Sequence, residues 1–90
     1  MTVDRASWTP APVFDLVRRV GRVAPASLEE TLNMGVGMVA LVDPDDVNRV
    51  LDTLSAHEVD AWVAGETAMA ADVAGRTPGS VVLEGAHPGW

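Results

Sequence analysis

The sequence contains no cysteine and no lysine, and each absence excludes a class of chemistry. Without cysteine the chain cannot form a disulfide, a thiolate metal site or a cysteine nucleophile. Without lysine it has neither a Schiff-base residue nor the lysine of a phosphate-binding P-loop. The absence of cysteine is also typical of reducing compartments, so we expect a cytoplasmic protein.

Positive charge, aromatic residues and long apolar runs are also scarce. The 90 residues include 13 acidic side chains against 6 basic ones, all arginine, which gives a net charge of −7. Such a chain offers no cationic face to a nucleic acid. It also has no run of about 18 apolar residues that could span a bilayer. We therefore expect neither a nucleic acid nor a membrane among its partners.

Two helices are predicted in the first third of the chain. The stretch PVFDLVRRV places its apolar residues at helical spacing and Pro12 suits a first turn, so the pattern predicts a helix over 12–20. The stretch SLEE has the capping-box pattern, in which Ser27 accepts from the amide of Glu30 and the Glu30 carboxylate reaches back. This pattern predicts a second, short helix over about 27–33.

The middle of the chain has the pattern of a βαβ unit. The stretch VGMVALV, residues 36–42, is apolar on both faces, which is typical of a strand buried on both sides. The stretch DPDDVNRVLDTLSAHE predicts a helix over 44–57 with Asp43 as its N-cap, and VDAWVAG predicts a strand over about 59–65. Strand, helix and strand within 36–65 favour parallel strands joined by a right-handed crossover.

These elements predict an α/β (α+β) fold with the order helix, helix, strand, helix, strand, strand. Residues 1–10 are interpreted as an extended lead-in, and residues 11–66 as a domain segment that contains the βαβ unit. Residues 67–90 are interpreted as a loop, a short strand over 81–84 and a flexible tail. A chain of 90 residues is long enough for one small domain or part of one.

Histidine and arginine side chains give little indication of a metal or phosphate site. His57 ends the third predicted helix, where an imidazole suits the negative end of the helix dipole. His87 lies in the tail without a second ligand at a metal-binding spacing, so no metal site is predicted. Arg18, Arg19 and Arg22 form a small cluster that is interpreted as solvated helix surface, with a phosphate contact as the alternative.

Two pairs of adjacent carboxylates stand at helix starts. Asp45 with Asp46, and Glu29 with Glu30, put negative charge where the helix dipole is positive. A general acid and base would instead converge on one point from separate elements. The pairs are therefore interpreted as structural, and no catalytic residue is predicted.

The stretch TLNMGVGM has an unusual pattern, two glycines one residue apart at the start of an apolar run. It is not a GxGxxG fingerprint, because no strand precedes it and no helix follows directly. Gly35 and Gly37 could permit close packing of a helix against a strand. They could equally leave the backbone bare, so that a ligand approaches the amides. The spacing alone does not choose between these two interpretations.

Three blocks of the sequence resemble, in order, the C-terminal end of the phosphoribosylformylglycinamidine cyclo-ligase family, also called aminoimidazole ribonucleotide synthetases. The blocks are WTPAPVFDLVRRVGRV, LEETLNMGVGMVALVDPDDVNRVLDTL and DAWVAGE, and they lie within about residues 4–66. The family pattern in the second block is close to Arg-Thr-Phe-Asn-x-Gly-x-Gly-Met. This chain departs from it at Glu30 and Leu32, where the family often has Arg and Phe. It matches the pattern at Thr31, Asn33, Gly35, Gly37 and Met38.

The resemblance implies a fragment of an enzyme that closes the imidazole ring in purine biosynthesis. It implies ATP-dependent conversion of formylglycinamidine ribonucleotide to aminoimidazole ribonucleotide by a homodimer of two-domain subunits. ATP and magnesium would bind mainly to the N-terminal domain, so no cofactor or metal is expected on this fragment, which would be inactive alone. Asn33, Gly35 and Gly37 would lie near the cleft between domains and bind the substrate.

The resemblance also implies partners, namely the enzyme's own N-terminal domain, a second subunit and a small-molecule substrate. A strand cut from its sheet leaves apolar faces uncovered, so we also expect self-association or a marginally stable monomer. The alternatives are a free-standing small-molecule binding or regulatory module with a βαβ core, an assembly domain, or a related ATP-dependent synthetase. Enzymes that make selenophosphate and thiamine phosphate belong to the last class.

Overall fold

Helices dominate the residues that the computed structural model describes, 1–69 and 78–90. The α-helices in these ranges are α1 (Pro12–Gly21), α2 (Pro25–Thr31) and α3 (Val47–Ala56), and 3-10 turns cover Arg5–Ser7 and Pro44–Asp46. The strands are β1 (Thr2–Asp4), β2 (Gly65–Glu66) and β3 (Val82–Glu84). The described part of the chain is therefore a mixed α+β fold, as its sequence predicts.

The strand β1 lies in the centre of a small sheet with the order β2-β1-β3. Thr2 and Val3 pair antiparallel with Glu66 and Gly65. On the other edge β1 is parallel to β3, with Val3 opposite Leu83. The residues interpreted as an extended lead-in thus form the middle of the sheet. A strand of three residues is too short for a periodic signal, and both partners are distant in sequence.

The first two helices form close to the predicted positions, but α2 begins and ends two residues before the predicted range of about 27–33. The helix α1 confirms the prediction over 12–20 and extends one residue further, to Gly21. The helix α2 begins at Pro25, which occupies the first helical position, and no side chain caps its start. Ser27 therefore lies inside the helix, where its carbonyl accepts from the Thr31 hydroxyl at 3.3 Å. The predicted capping box is not formed.

The third helix begins with the predicted cap. Asp43 accepts the amide of Asp45 through its side chain, with 2.9 Å between Oδ1 and N. A 3-10 turn follows, and α3 then continues to Ala56. The chain leaves the helix at His57, whose amide donates to the Leu54 carbonyl at 3.1 Å. The prediction of a helix over 44–57 is thus confirmed to within its end residues.

The predicted βαβ unit is not formed in the described structure. Residues 36–42 are irregular, and the strand predicted over 59–65 is reduced to β2, which pairs with β1 and not with 36–42. A strand needs a neighbour for its N–H and C=O groups, and a strand that is apolar on both sides also needs two covering layers. The described ranges supply neither, so Met38 is 89% exposed and Leu41 is 73% exposed.

The chain buries few side chains and has an open, flat form. Leu28 and Met34 are the buried apolar residues within the described ranges. The radius of gyration is 14.9 Å, whereas a compact domain of this length has about 12 Å. As one result, the apolar face of α1 is exposed to solvent, at Val13, Leu16, Val17 and Val20. No helix in 1–69 or 78–90 has both the length and the apolarity needed to cross a membrane.

The last residues are packed rather than free. β3 lies within the predicted strand over 81–84, and the sequence predicts a flexible tail for the last five residues, 86–90. In the structure His87 of this stretch is 4% exposed. Its ring contacts Trp8 and Trp90, and these contacts replace the missing apolar core at this end of the chain. A sequence pattern could not show this, because the contact joins residues almost 80 positions apart.

Candidate functional site

Residues 33–37, hereafter the glycine loop, form a tight turn that follows α2. Met34 and Gly35 have positive φ values of 55° and 92°, and the Val36 amide donates to the Asn33 carbonyl at 3.0 Å. Positive φ at both central residues is the geometry of a type I′ turn. The Asn33 side chain supports the turn, because its Oδ1 accepts from the Gly35 amide at 2.9 Å. Two hydrogen bonds within the loop therefore stabilise the turn.

The two glycines of the loop differ in what the fold requires of them. Gly35 has the φ of a left-handed residue, which glycine adopts without steric cost. A Cβ added at Gly35 would meet Phe14 Cε2 at 3.5 Å, an ordinary contact. Gly37 has no positive φ, and a Cβ there would meet no described atom within 4 Å. Turn geometry thus accounts for Gly35, whereas neither geometry nor close packing accounts for Gly37.

An aromatic cluster contacts the glycine loop through Trp8. Its members are Trp8, Trp62, His87 and Trp90. The Trp8 indole N–H donates to the Met34 carbonyl at 3.2 Å. The ring of Trp8 lies 6.0 Å from that of Trp62 and 4.7 Å from that of His87. The sequence analysis assigned no role to Trp8. The scarcity of aromatic residues in this chain was a possible signal, because so few are available to gather at one place.

Arg5 joins three parts of the chain beside this cluster. Its Nε and Nη2 donate to the Glu29 carboxylate at 2.9–3.2 Å. Its Nη1 donates to the carbonyls of Leu83 and Gly85 at 2.7 and 3.1 Å. The hydrogen bonds to Glu29, opposed by burial, raise the pKa of the Arg5 guanidinium. Glu29 is thus held in an ion pair, which agrees with its interpretation as a structural carboxylate.

The arginine cluster predicted on α1 is engaged mainly with a neighbouring carboxylate. Arg18 donates to Asp15 through Nε at 3.1 Å and also through Nη2, and Arg19 Nε lies 3.1 Å from Asp15 Oδ2. The hydrogen bond from Arg18, with the attraction of both arginines, lowers the pKa of Asp15 against the opposing effect of burial. Arg22 ends the helix in a left-handed conformation, with φ 51°. Arg19 and Arg22 thus lie on the exposed helix surface, as interpreted. Arg18 does not, because only 26% of its side chain is exposed and its guanidinium packs on Trp90.

The remaining candidates from the sequence do not meet at one point. His57 is exposed at the end of α3, and His87 is buried in the aromatic cluster. Asp46 pairs with Arg49 at 2.8 Å on the surface. Within 1–69 and 78–90 no three His, Asp or Glu side chains come together as a metal would require. The glycine loop therefore stays the candidate site that the sequence and its family resemblance predict.

Comparisons with known proteins extend over most of the chain. The sequence profile described as "AIR synthase related protein, C-terminal domain" matches residues 1–76. A phosphoribosylformylglycinamidine cyclo-ligase of Symbiobacterium thermophilum is 46% identical over 66 residues, which are 73% of this chain and 19% of that protein. A protein of the same name from a Thermoanaerobacter species is 38% identical over 64 residues, 71% of this chain and 19% of the relative.

A relative from Streptomyces fradiae is more similar still, at 58% identity over 65 residues, and its name assigns the same activity provisionally. The match covers 72% of this chain and 36% of that protein. The chain thus spans about a third of this relative and about a fifth of the other two. No solved structure matches. Since the profile covers most of its length, the chain belongs to the family of AIR synthase related proteins, in the region of their C-terminal domain.

Proposed function

We propose that this chain forms part of the C-terminal domain of an ATP-dependent cyclo-ligase of purine biosynthesis. The reaction would convert formylglycinamidine ribonucleotide to aminoimidazole ribonucleotide. The proposal is supported by relatives named for this activity, which match the chain at up to 58% identity. Because the chain spans only part of each relative, we propose that it acts within a longer protein and is inactive alone.

In this proposal the glycine loop is a wall of the substrate site. The observation that carries it is Gly37, which is exposed and has neither a positive φ nor a close neighbour in the described chain. A missing side chain that packing does not require leaves backbone amides open to a ligand. The Gly35 amide is already used within the turn, so the backbone open to a ligand is that of Gly37. The side-chain oxygen of Asn33, Oδ1, accepts a hydrogen bond within the turn. Its side-chain nitrogen, Nδ2, can still donate to a substrate oxygen.

The residues described here do not fit a magnesium-bound triphosphate. Such a group needs several carboxylates that converge on the metal and cationic or amide donors for the phosphates. Asp15 and Glu29 each pair with arginine, and no three potential ligands meet within the described ranges. We therefore assign ATP and magnesium to other parts of the longer protein, and no step of the reaction is derived through them.

The large total exposed surface supports the proposal that this chain has partners within a longer protein. A compact chain of 9.5 kDa exposes about 5,000 Å², whereas this chain exposes 6804 Å². The difference has the size of one side of a large obligate interface. We propose that an N-terminal domain and a second subunit cover it, and that the isolated chain self-associates. A monodisperse, high-melting monomer in sedimentation and calorimetry would contradict this proposal.

Substitution of Asn33 tests the substrate role of the loop. The host is the Symbiobacterium relative with its matching segment replaced by the sequence of this chain. Asn33→Ala removes both the turn contact and the amide donor. Asn33→Asp keeps an oxygen that accepts from Gly35 but loses the donor and adds negative charge. Asn48→Ala, on the exposed surface of α3, is the matched control.

We expect both Asn33 variants to raise the KM for formylglycinamidine ribonucleotide or lower kcat, by about tenfold for one lost hydrogen bond. Asn48→Ala should leave both constants unchanged. If Asn33→Asp retained full activity while Asn33→Ala lost it, Asn33 would serve the turn alone. If neither variant changed the kinetics, the loop would have no part in substrate binding.

A free-standing binding module is the second candidate function. It is favoured by β3, which lies beyond the family match at residues 1–76 and completes a sheet within this chain. Calorimetric titration of the isolated chain with ATP separates the two candidates. Micromolar binding would favour the module and contradict our assignment of the nucleotide to another domain.

A further inference from the structure

The C-terminal segment, residues 78–90, lies outside the family match yet contacts the start of the chain closely. The match ends at residue 76. Beyond it, β3 runs parallel to β1 along three residue pairs. Arg5 then donates to the carbonyls of Leu83 and Gly85. These contacts direct the next residues, 86–90, across the 3-10 turn and onto Trp8.

His87 is the centre of this contact. Its Nδ1 lies 3.0 Å from the carbonyl oxygen of Arg5, so in the neutral ring the Nδ1–H is the donor. Its ring meets Trp8 edge-on at 4.7 Å and Trp90 edge-on at 5.2 Å. Trp90 is fixed in turn, because the Arg18 guanidinium lies 4.8 Å above its ring. The imidazole is therefore enclosed between two indoles, and its Nε2 has no hydrogen-bond partner among the described atoms.

Trp8 carries this contact to the glycine loop. One side of the indole is packed against His87 and another against Trp62. Its N–H donates to the carbonyl of Met34, the first left-handed residue of the turn. The direction of that N–H depends on the orientation of the ring, and packed neighbours restrict the ring to one orientation.

We propose that His87 is a positioning residue, which acts through Trp8 to hold the glycine loop in its turn conformation. The C-terminal segment thus orders the loop from outside the residues that match the family. The consequence for substrate rests on the function proposed above for the loop. The positioning itself does not, because it is a property of the chain without substrate.

The test is NMR on the complete 90-residue chain with His87→Ala, and with His57→Ala as the matched control. His57 is also a histidine but lies exposed at the end of α3. In His87→Ala we expect the Trp8 indole proton to exchange with solvent about tenfold faster, the factor for one lost hydrogen bond. The amide signals of Gly35 and Gly37 should shift and broaden, while the amides of α3 keep their exchange rates.

His87→Gln should restore part of the slow Trp8 exchange of the unmodified chain. Its side-chain amide can again donate to the Arg5 carbonyl. Unchanged Trp8 exchange in His87→Ala would overturn the proposal. Equal acceleration throughout α3 would also overturn it, because His87 would then stabilise the whole chain and not the loop. His57→Ala should match the unmodified chain at every one of these signals.

Trp8→Phe provides a second test that remains valid if His87→Ala does not fold. The phenyl ring keeps most of the packing but has no donor for the Met34 carbonyl. We expect the Gly35 and Gly37 signals to broaden while the His87 ring signals stay in place. In the double variant, His87→Ala should add no further change at the loop. A further loop change of the same size as in the single variant would contradict a path through Trp8.

These measurements need no substrate, so they separate the two proposals. If the loop loosens in His87→Ala but Asn33 variants retain full activity, His87 positions the loop and the loop has no role in substrate binding. If Asn33 variants lose activity but the loop is unchanged in His87→Ala, the substrate role holds and positioning fails.

Discussion

Replacement of Arg5 by alanine removes a side chain that joins α2, β1 and β3 at once. The lost contacts are a forked ion pair with Glu29 and hydrogen bonds to the carbonyls of Leu83 and Gly85. Hydrogen bonds to charged groups contribute about 1.5–3 kcal/mol each when buried, and exposed ion pairs less than about 1 kcal/mol. Arg5 and Glu29 lie between these limits, at 23% and 12% side-chain exposure. The bonds to the two carbonyls are exposed, so we expect the free energy of unfolding to fall by about 2 kcal/mol in total.

For a domain of this size, 1 kcal/mol changes Tm by about 4–8 °C, so Arg5→Ala should melt about 8–16 °C lower. Thermal and urea unfolding followed by circular dichroism and tryptophan fluorescence would measure the change. Arg49→Ala is the control, because the Arg49 side chain is 76% exposed and pairs with Asp46 on the surface. The reasoning is refuted if Arg5→Ala and Arg49→Ala have the same Tm. A double-mutant cycle with Glu29→Gln should show coupling of about 1–2 kcal/mol.

Two further predictions concern the glycine loop and α1. Gly35→Ala should destabilise the chain by about 1 kcal/mol because Gly35 has a positive φ. Gly37→Ala should stabilise the chain by about 0.5 kcal/mol, because alanine reduces the conformational entropy of the unfolded state. Equal changes in the free energy of unfolding in urea would contradict the turn geometry. The pKa of Asp15 is lowered by Arg18 and Arg19, so its contribution to α1 should be complete above the usual aspartate pKa and vanish as pH falls through the lowered value. Helix content followed by circular dichroism during acid titration would show this loss, and Asp15→Asn should remove that part of the pH dependence.

The helices could be predicted because their signals are local. The apolar spacing that predicts α1, and the aspartate and proline that begin α3, act within a few residues of the elements they determine. The error in the predicted start of α2 also has a local cause. Pro25 and the capping box beginning at Ser27 are both local start signals, two residues apart, and the helix begins at the proline.

The sheet could not be predicted, because its pairing joins residues that are far apart in sequence. Thr2 pairs with Glu66 and Val82, and nothing in the stretch TVD indicates either partner. The prediction over 36–42 failed for a complementary reason. Its apolar pattern specifies burial on both sides, but a pattern cannot show whether the same 90 residues supply the covering layers.

The sequence singles out the glycine loop as a candidate, but it does not show the loop's geometry. Gly35 and Gly37 are equivalent in a spacing pattern, and only the backbone angles separate a turn residue from one without a structural requirement. The contact of Trp8 with the loop could not be predicted, because a single tryptophan gives no periodic pattern. Its partner His87 is also almost 80 residues away in sequence.

The parallel pairing of β1 with β3 has a consequence for the order of folding. Within this chain β1 is synthesised before its parallel partner β3, which follows it by almost 80 residues. Contacts at such long sequence separation form slowly, because most of the chain must be ordered or looped out before they close. The helices α1 and α3 depend on local contacts and can form while synthesis continues. Until the ribosome has released residues 82–84, β1 keeps an open edge, and the growing chain is then most exposed to mispairing with other strands.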